Sequence, residues 1–103
     1  MHTKNINQAT ILAYLRLRKT DFQQAFGLTK LGLFGSYAKD EATEISDVDI
    51  IVEFEPNTPD LYDKKEILRN ILQNEFDKNV DLCREKYLKP YYKTQILQNS
   101  IFV

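Results

Sequence analysis

Apolar residues near the start of the chain return at helical intervals: Ile11, Leu12 and Leu15 share one stripe, while Arg16, Arg18 and Lys19 fall on other faces. The pattern predicts an amphipathic helix over 7–18. Thr20–Asp21 then reads as a capping signal for a second, shorter helical piece through Phe22, Ala25 and Phe26, closed by Gly27. Beyond Gly27 the period changes. Leu31-Gly32-Leu33-Phe34 is a short apolar run that reads as a buried strand stopping in a tight Gly35–Ser36 turn, with a few helical residues from Ser36 to Lys39. Residues 47–54, Asp-Val-Asp-Ile-Ile-Val-Glu-Phe, are the most β-prone stretch. Strand alternation sends Asp47, Asp49 and Ile51 to one face and Val48, Ile50, Val52 and Phe54 to the other.

Thr58–Pro59 has the form of an N-cap followed by proline at the first helical position. It opens a helix through Phe76 whose stripe is Leu61, Leu68, Ile71, Leu72 and Phe76. Residues 79–84 make a third short strand, with Val80 and Leu82 on one face and Asp81 on the other. Pro90 starts a last helix through Asn99, and Ile101–Val103 can add an edge strand. Helices alternating with strands in this order predict an α+β fold, a small mixed sheet of three main strands covered mainly on one side by helices.

The length of 103 residues, 43% of them hydrophobic, suits one modest core and a single domain over 1–103. Fourteen Lys+Arg balance fifteen Asp+Glu, so no basic field is available to grip a nucleic-acid backbone or an anionic membrane. Direct nucleic-acid binding is therefore not expected. Cys83 is the lone cysteine, which excludes an internal disulfide and a multi-cysteine metal site. His2 is the lone histidine and sits at the terminus, so a histidine-based metal site or catalytic dyad has no second member. With no signal-peptide pattern and no bilayer-length apolar run, the expectation is a soluble, cytoplasmic protein.

Two features carry chemistry. Aspartate is depleted from strands, yet Asp47 and Asp49 stand two apart at the head of the strongest one, so their carboxylates lie side by side. If the Asp81 strand is the neighbour, a third carboxylate joins them. Such a cluster is relieved by raised pKa values or by a divalent cation, and a hard oxygen-only donor set points to magnesium or manganese. Taken singly, each Asp also reads as a strand-end residue facing water. The second feature is Phe34-Gly35-Ser36, where a strand enters a short helix and leaves backbone N–H groups free to seat a phosphate, although Gly-Ser turns are common in purely structural roles.

Ten residues separate Gly35–Ser36 from Asp47-Val48-Asp49 within LGLFGSYAKDEATEISDVDIIVEFE. That string resembles the signature of the minimal nucleotidyltransferases, small members of the superfamily of DNA polymerase beta and kanamycin nucleotidyltransferase. The likeness spans nearly the whole chain, through Val80-Asp81-Leu82 and Leu88-Lys89-Pro90. It implies a palm-like core in which Gly35 and Ser36 hold nucleotide phosphates, Asp47, Asp49 and Asp81 bind divalent metal and form the catalytic carboxylates, and Asp81 is the base. Relatives commonly read Gly-Ser-x-Ala-Arg-Gly. Here Lys39 and Asp40 replace the last two residues, giving up a bidentate cation and a glycine at a position suited to positive φ.

The resemblance further implies ATP as substrate and Mg²⁺ as cofactor. It also implies a HEPN-domain RNase toxin as partner, onto whose tyrosine AMP is moved, the protein serving as its antitoxin. A non-catalytic module that neutralises the toxin by covering it is the alternative. Transfer to a small molecule such as an aminoglycoside comes third, because about a hundred residues leave little room for a substrate domain.

Cys83 reads as a small half-buried residue rather than a nucleophile, having no histidine partner. Tyr91–Tyr92 read as packing residues with wet hydroxyls rather than a base-stacking platform.

Overall fold

The computed structural model describes residues 6–103; His2 lies outside them. Helix α1 (Gln8–Phe26) leads into strand β1 (Leu28–Phe34), a single turn α2 (Gly35–Ala38), and strand β2 (Val48–Phe54). Helix α3 (Leu61–Phe76), strand β3 (Val80–Arg84), a 3₁₀ turn (Glu85–Tyr87), helix α4 (Pro90–Gln98) and strand β4 (Ile101–Phe102) follow. The sheet order is β3-β2-β1-β4, with β2 and β3 parallel and the other pairs antiparallel. The expected α+β mixed sheet is thus present, with a short fourth strand at the β1 edge.

Strand β1 starts at Leu28, three residues ahead of the sequence reading, and two helices also differ from it. Thr20–Asp21 does not break the first helix, because Phe22 and Phe26 continue the stripe of Ile11 and Leu15 and all four are buried. Asp21 instead pairs with Arg18 one turn back at 3.2 Å. The start of α1 is fixed by a capping box: the Asn7 side chain accepts from the Thr10 N–H, and the Thr10 hydroxyl accepts from the Asn7 N–H, both at 2.9 Å. Its end is the left-handed Gly27, φ 72°, as expected. Thr58 does not cap α3. Its hydroxyl bonds back to the Glu55 carbonyl, and the helix begins three residues later after Asp60 at φ 53°. Pro59 belongs to the connecting turn.

One face of the sheet holds the core. Leu31 and Leu33 of β1, Val48, Ile50 and Val52 of β2, and Val80 and Leu82 of β3 are all buried in a single cluster with α1 and α3. The two helices meet through Tyr14 and Phe76, edge to face at 5.4 Å, and through Leu68 and Leu72 of the predicted α3 stripe. No described helix is long and apolar enough to cross a membrane.

Candidate active site

The turn at Gly35 joins the sheet to the site. Gly35 has φ 72°, and a Cβ built there would run into the Asp49 carboxylate, with Cγ at 2.9 Å. Both the conformation and the close approach demand glycine. The approach follows from register, since Phe34 pairs with Asp49 across the β1–β2 ladder. Ser36 starts the first turn of α2, where backbone N–H groups have no intrahelical acceptor.

The other end of α2 explains how the departure from Arg-Gly is tolerated. Asp40 adopts φ 59°, the Asp40 N–H bonds to the Tyr37 carbonyl at 3.2 Å, and the Glu41 N–H bonds to the Ser36 carbonyl at 2.8 Å. This is a Schellman motif with aspartate in the left-handed place usually taken by glycine, a conformation that Asp accepts better than most residues. The Gln8 side-chain amide of α1 donates a hydrogen bond to the Ala38 carbonyl at 2.8 Å. The C-terminal end of the short helix is therefore anchored. Lys39 is exposed to solvent.

Asp49 and Asp81 stand opposite one another in the parallel β2–β3 ladder, on the face turned away from the core. Adjacent strands run about 5 Å apart, so these carboxylates are immediate neighbours. Burial, then the negative charges of Asp81 and Asp47, push the Asp49 carboxyl up from 3.8 to about 6. Asp47 lies just outside β2, which begins at Val48; it is exposed and belongs to the loop from α2 rather than to the strand as expected. It is nonetheless close enough for its charge to act on Asp49.

Among the described residues no three carboxylate, thiol or imidazole groups converge into a ready-made metal cage. The donor set is all oxygen, and the charges that act on Asp49 are those of Asp81 and Asp47, both negative, which fits a hard divalent ion bound through one or two carboxylates, with phosphate oxygens completing its shell.

Cys83 is half-buried, and its thiol lies 3.7 Å from an Asp81 oxygen. Burial first, then Asp81, push its pKa up to about 11, which keeps it protonated and unreactive. Tyr91 and Tyr92 are both exposed and pack on each other at 4.4 Å rather than into the core. Sequence reasoning missed Glu53, which takes the Arg84 guanidinium at 2.9 Å and the Lys86 N–H at 3.0 Å, closing the far end of the same face. The register that pairs these strands gives no sequence signal.

The fold thus sets the Gly35–Ser36 turn against the strand carboxylates Asp49 and Asp81, and the class to which a chain with this site belongs is the nucleotidyltransferases. The model of the nucleotidyltransferase domain family matches residues 15–103, and the chain belongs to that family. It is 34% identical over 95 residues to the protein adenylyltransferase MntA of Thermococcus cleftensis, covering 90% of this chain and 92% of that one. A solved structure assigned as a minimal nucleotidyltransferase superposes with a TM-score of 0.78 at 28% identity, covering 95% of this chain and 97% of the other. A toxin–antitoxin structure with AMP-PNP shares the fold, with a TM-score of 0.65 at 20% identity over 94% of this chain and 72% of that one.

Proposed function

We propose that this nucleotidyltransferase is an ATP- and Mg²⁺-dependent protein adenylyltransferase that moves AMP onto a hydroxyl, a tyrosine's, of a HEPN-type RNase toxin and so acts as its antitoxin. The observation that carries the reading is the junction of Gly35 with the Asp49–Asp81 pair, which would set a nucleotide's phosphates against the carboxylates. The adenylyltransferase relative and the toxin–antitoxin fold neighbour support the acceptor class and the partner.

In this reading Gly35 and the Ser36 turn hold the phosphates, while Asp47, Asp49 and Asp81 would hold the cation. When bound, that ion supplies positive charge to the phosphate oxygens as negative charge builds on them. Asp81, exposed at the edge of the pair, is the group that an incoming hydroxyl can reach. It accepts the hydroxyl proton as the acceptor oxygen bonds to the α-phosphorus. The bond to the bridging oxygen breaks, and pyrophosphate leaves with its electron pair. Having no Cβ, Gly35 leaves the space that the Asp49 carboxylate occupies beside the turn.

The intact turn around Asp40 favours catalysis over a passive cover, since the departure from Arg-Gly leaves the phosphate seat in place. The test is labelling of source-cell lysate with ATP carrying label at the α-phosphate, beside the Asp47→Asn/Asp49→Asn double variant. A small labelled protein that disappears with the variant is expected. Absence of label with the wild-type chain, while it still captures a partner, leaves the cover reading standing instead.

A further inference from the structure

We propose that Lys78 is a positioning residue that fixes Asp47 for cation binding, an inference that rests on the role given above to Asp47. Asp47 precedes β2, so the sheet ladder does not hold it. The loop that delivers it is closed by its own turn: the Ser46 N–H bonds to the Thr43 carbonyl at 3.1 Å, and the Thr43 N–H bonds to the Ser46 hydroxyl at 2.8 Å. That turn is then tied down from outside. The Lys78 ammonium donates to the Glu44 carbonyl at 2.6 Å and to the Ser46 carbonyl at 3.4 Å.

The Ser46 carbonyl belongs to the peptide unit that carries the Asp47 N–H, so Lys78 restrains the plane from which the Asp47 side chain departs. One residue on, the Val48 N–H bonds to the carbonyl of Asn79, the residue after Lys78, at 3.0 Å. The short link between α3 and β3 thereby grips the approach to Asp47 while itself leading, three residues later, to Asp81. A half-buried lysine spent on two backbone carbonyls of a surface loop contributes little to the core. The charge-assisted bond to Glu44 is the stronger hold on the turn, with the longer contact to Ser46 beside it, and groups that orient a metal ligand control affinity without touching the ion.

The experiment titrates Mn²⁺ into the full chain with α,β-methylene-ATP present, following loss of the free-ion electron paramagnetic resonance signal beyond that of a protein-free nucleotide blank. Wild type, Lys78→Met, Lys78→Arg and Asp47→Asn are compared, with melting curves for each. Lys78→Met should weaken Mn²⁺ binding by about tenfold, whereas Lys78→Arg, which keeps a cationic donor, should stay within about threefold of wild type. Equal binding by Lys78→Met and wild type, with Asp47→Asn weakened, overturns the role of Lys78 alone. Wild-type binding by Asp47→Asn overturns the site reading beneath it. If Lys78→Met does not fold, Lys78→Gln takes its place in the same titration, and binding equal to that of Lys78→Arg overturns the proposal.

Discussion

The two faces of β2 do opposite work. Val48, Ile50 and Val52 are buried in the core cluster under α1 and α3, while Asp49 and Glu53, on either side of the buried Ile51 on the other face, stand among charges. On the first face the environment suits the side chains and burial stabilises the fold. On the second, burial pushes both carboxyls up, but at Glu53 the Phe54 N–H, Arg84 and the Lys86 N–H together outweigh it and lower the pKa, whereas at Asp49 the charges of Asp81 and Asp47 add to it. The contrast separates residues that hold the molecule together from residues that the fold carries at a cost for the sake of chemistry.

The largest effect expected on either face is on activity. Asp49→Asn should reduce adenylyl transfer by about a thousandfold, the loss expected when a group that stabilises transition-state charge is removed. The melting temperature should not fall. A variant that loses activity only by unfolding would erase the distinction between the faces. Its counterpart is Ile50→Ala, which should destabilise the chain by about 2–5 kcal/mol in chemical denaturation while the folded fraction keeps its turnover number. A large drop in turnover at constant folded fraction would show that the core face also tunes the site.

Gly35→Ala tests the seam between the two. Left-handed φ at alanine plus the clash with Asp49 should cost about 1–3 kcal/mol and lower transfer, read by denaturation and by the labelling assay on folded protein. Unchanged activity would mean that the turn and the carboxylate need not touch.

The smallest effect concerns pH. The Asp49 carboxyl titrates at about 6 when folded against 3.8 ordinarily, so the fold favours its protonated form. Its contribution to stability is complete below pH 3.8 and is lost as pH rises through 6. In EDTA, Asp49→Asn should therefore be more stable than wild type at pH 7–8, by on the order of 1 kcal/mol after allowance for solvent screening of this half-buried group. Below pH 4 the difference should vanish. Melting curves from pH 4 to 8 check the sign, and parallel curves would show that the like charges are too far apart to matter.

Much of this division is legible in the sequence because strands alternate strictly. Val48, Ile50 and Val52 declare one face, Asp49 the other, and the Gly-Ser spacing points to the partner turn. Asp40 is likewise readable as a tolerable substitute at a left-handed position, and the structure places it there. What escaped depends on tertiary context. Thr20–Asp21 has the residues of a cap, but a cap forms only where the chain leaves the helix, and burial of Phe22 and Phe26 keeps it in. The pairing of Glu53 with Arg84 and the reach of Lys78 to Glu44 and Ser46 join positions 31–34 apart, separations that no local pattern encodes.

The pairing of Phe34 with Asp49 also acts as a ruler. The gap between the Gly35 turn and the Asp49 carboxylate is one interstrand spacing, whatever route the twelve residues between Ser36 and Asp49 take. Their number can drift without moving Asp49, whereas a slip of one rung in the ladder would turn that carboxylate into the core. Backbone pairing, then, is what sets the distance across this site, and the loop is its adjustable margin.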